Sequence, residues 1–429
     1  MGKQHIYDHD SLYSFLRPYV DWICKRSYRN TEIYGRENIP GDGAVILAPN
    51  HCNTLMDALV ILRSFKGATV FGARADMFKN PVVAKIMYFL RIIPMVRQRD
   101  GLRNVLKNHE STQVIVDTVT NGVRFCMFPE GRHRPARSVM PLGKGILRAA
   151  VAANEALAGE KPVYIVPAGL EYGDYFRYRS TSLLTYGKPI NVTEFVKNLN
   201  VENEAQIMEP LRKELYERMS ALITFFPDDD TLDAGWVLVK MLEAKGKRGG
   251  KLHERLARTR ALAAKVKEAF SKKPEFAGKV AGFDKERRAA GLSIHSFGRK
   301  RMAGTAIIKG LASVALLPWF LFCTVVSLPM WAVFTFLKGR IKDKAFRNTA
   351  GFGVKLAMSP IMLIIWAVTG FCLFPWYIAL PFVALTTVTY NSFYDCLEFF
   401  RRTSSDIRIL FNSRLRNMYD NIINEYETL

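Results

Sequence analysis

Two long uncharged runs near the end of the sequence constrain the fold of this 429-residue chain more than any other feature. Residues 310–337 and residues 356–390 contain no Asp, Glu, Lys or Arg. A helix needs about 20 predominantly apolar residues to span a bilayer, and both runs are longer than that. The sequence therefore predicts a helical membrane region over residues 302–395, in which Lys309 and Lys355 snorkel to the interface.

Basic segments flank both runs and predict how the runs are arranged. RKRM precedes the first run, KGRIKDKAFR separates the two, and FFRR follows the second. Positive flanks are typical of the cytoplasmic side of a membrane, so each run is expected to enter the bilayer and return to the same side. The runs contain Pro318, Pro329, Pro360, Pro375 and Pro381. We predict two Pro-interrupted hydrophobic hairpins, either crossing or re-entrant, and a cytoplasmic tail at residues 396–429.

Short β-like runs alternate with helical segments from Ile33 to about Val192. AVILAP, ATVFGA, RFCMFPEG, PVYIVPAGL and SLLTYGKPI are typical of strands, whereas NPVVAKIMYFLRII and GKGILRAAVAANEAL are typical of helices. Strands that alternate with helices predict an α/β domain with a mostly parallel sheet. We assign this domain to residues 33–199, where chemistry is expected at the loops that follow strand ends.

The segments on either side of this domain are predicted to be helical. Residues 10–28 place apolar side chains at helical spacing behind a candidate cap, Asp10. Residues 1–32 are therefore predicted to form an amphipathic helix that either packs on the core or lies on a membrane surface. Residues 200–301 are rich in Ala, Leu, Glu, Lys and Arg, and FPDDD and KGKRGGK interrupt them. They are predicted to be charged, solvated amphipathic helices.

The charge and the cysteines bound the class of partner. Lys and Arg outnumber Asp and Glu by 61 to 39, and the formal charge of +22 attracts anionic lipids, phosphorylated substrates and nucleic acid alike. Nucleic-acid binding needs basic or aromatic residues grouped on one groove-reading element, and the two apolar runs argue against it. The six cysteines show no CxxC pair and no metal-ligand spacing. We expect free thiols and no metal site.

His51 is a candidate general base, because it lies in a predicted turn between a strand and a helix. In "APNHCNTLMDAL", His51 follows an apolar run and precedes a predicted helix, and Asp57 lies six positions later. A carboxylate fixes the tautomer of a histidine and stabilises the imidazolium that forms when the ring takes a proton. The alternative is an ordinary histidine at a turn. Cys52 is a poor candidate for a nucleophile, because sequence neighbours at a turn usually face apart.

Basic residues collect at the ends of other apolar runs. "FPEGRHR" joins Glu130, Gly131 and Arg132, a combination that suits a phosphate cradle because arginine binds oxyanions with paired donors. "FGARADMFKNP" and "IPMVRQRDG" add further cations, which are Arg74, Lys79, Arg97 and Arg99. Surface charge explains any one of these clusters but explains all of them poorly.

These motifs in this order resemble a known family. NH with a nearby Asp, then IPMVRQRDG, FPEGR, VPAGL and YGKPI, look like the glycerolphosphate acyltransferase superfamily over roughly residues 30–195. The resemblance implies that His51 is the general base that removes a proton from the acceptor hydroxyl and that Asp57 orients it. It implies that Arg97 and the FPEGR block hold the acceptor phosphate, and that Val166 and Pro167 line the acyl region.

The spacing departs from the family pattern in one place. Five residues separate His51 from Asp57, whereas the family usually has four. We expect the extra residue to be absorbed in the irregular turn before the helix starts at about Thr54. If it is not absorbed, Asp57 points elsewhere and the pair fails.

The resemblance implies a membrane-bound O-acyltransferase of phospholipid biosynthesis with its catalytic domain on the cytoplasmic face. Its acyl donor is a thioester, acyl-CoA or acyl carrier protein, and its acceptor is lysophosphatidate or glycerol-3-phosphate. No other cofactor is expected, because a thioester is already activated. Membrane lipids are expected partners and nucleic acid is not. The alternative function is a non-catalytic lipid-binding membrane scaffold that retains the acyltransferase fold.

Overall fold

A computed structural model describes residues 5–95, 105–201, 203–227, 229–246, 249–298 and 302–429. The chain divides into two compact units. The first consists of the residues up to Phe176 together with Ser180–Ile223, and the second of Arg177–Arg179 together with Thr224–Leu429. The limits predicted for the functional domains do not coincide with this division and stay predictions.

The first unit is built on one mixed sheet that is mostly parallel. Its strands are β1 (Asn30–Tyr34), β2 (Ala44–Pro49), β3 (Thr69–Arg74), β4 (Ile92–Met95), β5 (Arg124–Cys126), β6 (Val163–Tyr172), β7 (Thr181–Tyr186) and β8 (Ile190–Asn191). Their order is β1-β7-β6-β2-β5-β3-β4, and β8 also pairs with β6. Only the pairs of β6 with β7 and with β8 are antiparallel. The predicted α/β fold with a mostly parallel sheet is confirmed.

The central strand β2 shows why a strand of this domain could be predicted from its amino-acid sequence. It lies between β5 and β6, and every residue from Ala44 to Pro49 is buried. A parallel strand covered on both faces has no polar face, so its sequence is a continuous apolar run rather than an alternating one. β2 therefore delivers the residues that follow Pro49 to the carboxyl edge of the sheet.

β6 contains a proline, a residue that strands normally avoid. Pro167 lies where the pairing of β6 passes from β7, at Ala168, to β8, at Ile165. A proline cannot donate to a ladder, and here the carbonyl of Pro167 accepts from the Gly187 N–H in the segment that joins β7 to β8. The proline is therefore tolerated because its missing N–H falls on the side of β6 where β7 gives way to β8, whereas on the other side Pro167 lies opposite Ala48 of β2.

The helices of the first unit surround the sheet. They are α1 (Ser11–Ser27), α2 (Leu55–Arg63), α3 (Pro81–Phe89), α4 (Val105–Thr120), α5 (Gly145–Leu157), α6 (Val192–Leu199) and α7 (Glu204–Ser220). The predicted helix α1 is confirmed, and Asp10 caps it by accepting from the Tyr13 backbone N–H at 2.8 Å. Ile23 and Cys24 of α1 are buried in the core, whereas Phe15 is 80% exposed.

One predicted boundary is wrong. The apolar run NPVVAKIMYFLRII was assigned entirely to a helix, but α3 ends at Phe89 and β4 begins at Ile92. Arg91 adopts a φ of +60°, which no helix continues. Ile93 then pairs with Gly72 of β3 and is buried, so packing against the sheet outweighs the helical periodicity.

The second unit contains a helical core and four apolar helices. The core is formed by α8 (Leu232–Lys245), α9 (Leu252–Lys272), α10 (Glu275–Ala289) and α15 (Ser413–Glu427). The predicted helices are confirmed, but the prediction that they are simply solvated is wrong. Phe276, Phe283, Phe297 and Tyr419 are buried together, so the segment predicted as a tail contributes a helix to this core.

The four apolar helices are α11 (Met302–Val326), α12 (Leu328–Arg340), α13 (Arg347–Leu373) and α14 (Trp376–Arg408). Among the described residues, Met302–Val326 and Lys344–Leu373 are long and apolar enough to cross a membrane. Pro329 and Pro375 stand at helix starts, where a missing N–H costs nothing. The other three prolines, Pro318, Pro360 and Pro381, lie inside helices. Contrary to the prediction, these three do not interrupt the uncharged runs.

Both lysines of this region have side-chain partners. Lys309 donates to Asp406 at 2.5 Å, and Lys355, which is 2% exposed, donates to the Asn391 side chain at 2.6 Å. A charge taken out of water needs such partners. The prediction of snorkelling is therefore wrong for Lys355, and Lys309 has a carboxylate within the same unit.

A close approach to β6 generates a test of the first unit's packing. A Cβ atom added at Gly169 would lie 2.6 Å from Leu222 Cβ and 2.7 Å from the Leu222 carbonyl oxygen. Since a backbone atom cannot move aside as a side-chain tip can, we expect Gly169→Ala to destabilise the protein by about 1–3 kcal/mol. Thermal unfolding of the full chain in detergent measures this. Gly41→Ala, which meets no atom within 4 Å, is the control, and equal losses would contradict the prediction.

Candidate active site

The exit from β2 is fixed by an asparagine that sequence reasoning missed. The Asn50 side chain donates to the Leu170 carbonyl at 3.2 Å and accepts from the Leu170 N–H at 2.6 Å. These are the bonds that another strand residue would make, so Asn50 extends the pairing of β2 with β6 by one step. In the sequence, Asn50 is marked only as a polar residue that follows an apolar run.

His51 and Asp57 meet immediately after Asn50. His51 Nδ1 lies 2.8 Å from Asp57 Oδ2, and the aspartate side chain is fully buried while the histidine side chain is 18% exposed. The same carboxylate oxygen accepts from the backbone N–H groups of Cys52 at 2.8 Å and Asn53 at 2.7 Å. The carboxylate therefore organises the turn as well as the imidazole.

The extra residue in the His51–Asp57 interval lies in that turn. Thr54 adopts a φ of +48°, a conformation that L-residues rarely occupy, and α2 starts directly after it at Leu55. Asp57 then falls in the first helical turn, facing back toward His51. Backbone strain at one threonine is the local cost of keeping the two side chains together.

A tyrosine completes the surroundings of the aspartate. Tyr172, at the end of β6, donates its hydroxyl to Asp57 Oδ1 at 2.7 Å. Burial raises the pKa of Tyr172 far above its usual range, so the phenol is a neutral donor. It is 115 positions from Asp57, and no sequence motif marks it.

Cys52 is inaccessible from outside the protein. Its side chain is buried, and Sγ lies 3.8 Å from both Asp57 Oδ1 and the Leu170 carbonyl. Burial raises the pKa of this thiol well above its usual range. A thiol that is inaccessible and protonated is a poor nucleophile, in agreement with the sequence-based expectation.

Glu130 holds the backbone of the histidine instead of facing outward. Its Oε1 accepts from the His51 N–H at 2.9 Å, and its Oε2 accepts from the Met140 N–H at 3.1 Å. Burial raises the pKa of Glu130 to about 7, although both N–H donors lower it. Since both oxygens are occupied, its predicted place among phosphate-binding groups is not supported by its contacts. Phe128 of the same loop stacks on the His51 ring at 4.0 Å between centroids.

The predicted phosphate-binding cations are not equivalent. Arg132 is exposed next to this loop, its Nε lies 3.2 Å from Met140 Sδ, and no carboxylate of the described chain pairs with it. Gly131 beside it is exposed at a φ of +65°. Arg74 is paired with Asp76 two residues away, and Lys79 is exposed. Arg97 and Arg99 lie outside the described residues.

The residues expected near an acyl chain lie inside the sheet. Val166 and Pro167 are buried in the middle of β6, opposite Leu47 and Ala48 of β2. Their side chains therefore support the sheet beneath the His51 turn. Within the described ranges, no group of three or more His, Cys, Asp or Glu side chains is arranged to hold a metal ion.

Comparison with known proteins shows what this domain is similar to. Residues 30–171 match the family model described as Acyltransferase, a segment that runs from the start of β1 almost to the end of β6. This segment is therefore similar to acyltransferase-family domains. Together with the relatives below, it supports the glycerolphosphate acyltransferase superfamily that the motifs resemble.

Two curated relatives match part of this domain. Glycerol-3-phosphate O-acyltransferase 2 of Saccharomyces cerevisiae is 28% identical over 127 residues, which are 30% of this chain and 17% of the relative. An uncharacterised acyltransferase of Schizosaccharomyces pombe is 25% identical over 117 residues, 27% of this chain and 17% of the relative. The chain thus spans about a sixth of the length of either relative.

One solved structure is also similar. The crystal structure of the 1-acyl-sn-glycerophosphate (LPA) acyltransferase PlsC from Thermotoga maritima shows 22% identity and a TM-score of 0.35. The match covers 50% of this chain and 80% of that chain.

The position of Glu130 predicts a pH dependence of stability. The pKa of this carboxyl is about 7 in the folded protein, above the roughly 4.3 of an unfolded chain. Its contribution to stability is therefore fully present below about pH 4 and is lost as the pH rises through 7. Because glutamine does not titrate, Glu130→Gln is expected to gain stability relative to wild type between pH 5 and pH 8.

Thermal unfolding at the two pH values measures this change. Glu155→Gln, on the exposed face of α5, serves as the matched control for the loss of a carboxylate. A difference between Glu130→Gln and wild type that is the same at pH 5 and pH 8 would contradict the prediction.

Proposed function

We propose that the protein is a membrane-bound O-acyltransferase that moves a fatty acyl group from an acyl thioester to a hydroxyl of a glycerol phosphate. The observation that carries this proposal is the contact of 2.8 Å between His51 Nδ1 and the buried Asp57 carboxylate. A carboxylate accepts from Nδ1–H, so Nε2 is the basic nitrogen. Because the imidazole remains partly exposed, a substrate hydroxyl has a base to approach.

The reaction needs one base and no enzyme nucleophile. Nε2 takes the proton of the acceptor hydroxyl as its oxygen attacks the thioester carbonyl, and the imidazolium is stabilised by Asp57. The tetrahedral intermediate then collapses to the ester and releases a thiolate, which takes the proton back from the histidine. A positioned base contributes about 10²- to 10⁴-fold to such a step. The buried, protonated Cys52 takes no part.

Binding the acceptor phosphate near His51 makes the attack an oriented one. Arg132 follows Glu130 by two positions, and Glu130 holds the His51 backbone. A phosphate on the exposed Arg132 guanidinium would therefore bring its hydroxyl close to the imidazole. We also assign Lys79, Arg97 and Arg99 to this role, and assign Arg74 a weaker part because of its ion pair with Asp76.

We further propose that the protein resides in a membrane with its catalytic domain on the cytoplasmic face. Two apolar helices and the basic residues that flank them support this location. The acceptor is glycerol-3-phosphate or lysophosphatidate, since both carry a phosphate and a hydroxyl, and the donor is acyl-CoA or acyl carrier protein. The product would be an intermediate of phospholipid biosynthesis.

Substitution of the base tests the reaction. Membranes containing the protein, supplied with labelled acyl-CoA and either acceptor, are expected to form labelled product with wild type. His51→Ala is expected to lower kcat about 10²- to 10⁴-fold, because the base is gone.

His133→Ala is the matched control, since this second imidazole lies edge-on to His51 at 5.7 Å between centroids. We expect it to retain activity within about tenfold of wild type. The assignment of His51 as the base would be overturned if His51→Ala still formed product and His133→Ala did not. If wild type forms no product with either acceptor or donor, while lipid still binds, the protein is the non-catalytic lipid-binding scaffold.

The cations are tested by the dependence of rate on acceptor concentration. Arg132→Gln is expected to raise KM for the acceptor about tenfold with little change in kcat, as for a contact made equally in ground and transition states. Arg74→Gln should raise KM less, because that guanidinium already pairs with Asp76. Equal effects of the two substitutions would contradict this ranking.

A further inference from the structure

The two oxygens of Asp57 face different side chains, His51 on one and Tyr172 on the other, and only His51 takes a proton in the proposed reaction. Oδ2 faces His51 and the N–H groups of the turn, whereas Oδ1 accepts the Tyr172 hydroxyl at 2.7 Å. The phenol is 2% exposed and lies on the far side of the carboxylate from the imidazole. Tyr172 therefore cannot touch a substrate bound at His51, and any effect it has on the reaction passes through Asp57.

We propose that Tyr172 is a positioning residue that sets the basicity and orientation of His51 through Asp57, an inference that rests on the proposed acyltransferase function. A hydroxyl bonded to Oδ1 draws negative charge toward that oxygen and away from Oδ2. It also prevents the carboxyl group from rotating about its Cβ–Cγ bond. Tyr172 thereby weakens the pull of Asp57 on the imidazolium and keeps Oδ2 directed at Nδ1.

The surroundings of Tyr172 keep it in this role. Its ring packs against Tyr28 at 5.7 Å and Tyr175 at 6.1 Å between centroids, so the hydroxyl has no room to swing away. The pKa of Tyr172 lies far above its usual range because the side chain is buried, and the phenol stays protonated at any working pH. Position and protonation state are thus both fixed by packing.

Other titratable or charged groups face the same site and must be separated from Tyr172 in a test. The turn before α2 contributes Cys52, and the segment before β1 contributes Tyr28. The loop after β5 contributes Glu130, His133, Arg134 and Arg137, and the end of β6 contributes Glu171. Glu130 is the most important, because its pKa of about 7 places its titration near that of a histidine. A pH–rate profile alone would mix the two, so a readout specific for His51 is required.

Tyr172→Phe keeps the ring and removes only the donor. Among the described residues, Oδ1 then keeps only the weak Cys52 thiol donor at 3.8 Å. More negative charge faces the imidazole, so the acidic limb of kcat/KM is expected to move up by roughly 0.5–1 pH unit. A looser carboxylate is expected to lower kcat about threefold to tenfold with little change in KM. Diethyl pyrocarbonate, which modifies neutral imidazole, should show the same upward shift at His51 when peptides are followed by mass spectrometry.

Tyr186→Phe is the matched control. Tyr186 is equally buried in the same sheet, and its hydroxyl bonds to Ser64 Oγ at 2.6 Å, away from Asp57. Its loss removes one buried hydrogen bond and is expected to shift neither the limb nor the His51 modification midpoint. If Tyr172→Phe does not fold, 2,3-difluorotyrosine at position 172 keeps the bond with a stronger donor, and the midpoint should move down.

The outcomes distinguish failure of this proposal from failure of the function on which it rests. An unchanged midpoint in Tyr172→Phe, or an equal shift in Tyr186→Phe, would overturn the role of Tyr172. Absence of acyl transfer in wild type together with a shifted His51 midpoint would sink the proposed function and leave the positioning role standing. A lower kcat with no shift in the midpoint would show that Tyr172 is merely structural.

Discussion

One buried carboxylate determines the arrangement of the site. Asp57 is fully buried, and its two oxygens accept hydrogen bonds from His51, from the backbone of Cys52 and Asn53, and from Tyr172. A carboxylate without such partners would be too costly to bury, so these contacts are mutually dependent. The turn after β2, the first turn of α2 and the end of β6 are each held by the same two atoms.

A second carboxylate controls the same histidine from its other end. Asp57 binds the imidazole, whereas Glu130 binds the backbone N–H of His51 and ties the loop after β5 to it. The two acids differ in their setting. Asp57 is surrounded by donors, while burial outweighs the two donors of Glu130 and raises its pKa to about 7. His51 is therefore fixed in orientation by one acid and in position by another.

Local features of this fold could be predicted from the sequence, and long-range contacts could not. β2 and the partnership of His51 with Asp57 are encoded within fourteen consecutive residues, so an apolar run and a spacing sufficed. Tyr172 and Asn50 act through contacts across more than 100 positions, and nothing in their neighbourhoods marks them. The backbone contacts of Glu130 could not be predicted, because a carboxylate beside an arginine says nothing about which backbone amides it will meet.

The same limit explains the errors outside the site. β4 was assigned to a helix because its residues are continuously apolar. Without alternation of apolar and polar residues, nothing in the sequence indicated a strand. The last helix, α15, was assigned to a tail because a single amphipathic helix does not reveal the core it joins. In both segments tertiary packing decided the outcome over local pattern.

The pairing of Lys355 with Asn391 has a consequence for biosynthesis. A lysine exposed to lipid near the middle of a helix costs about 2.5–3.5 kcal/mol, and in the proposed membrane region its acceptor lies 36 positions further along the chain, in α14. When α13 leaves the ribosome, that acceptor is still inside the exit tunnel. Retention of α13 at a protein-lined, hydrated site until α14 arrives would avoid this cost. The two helices would then enter the bilayer as one hairpin in which Lys355 already pairs with Asn391.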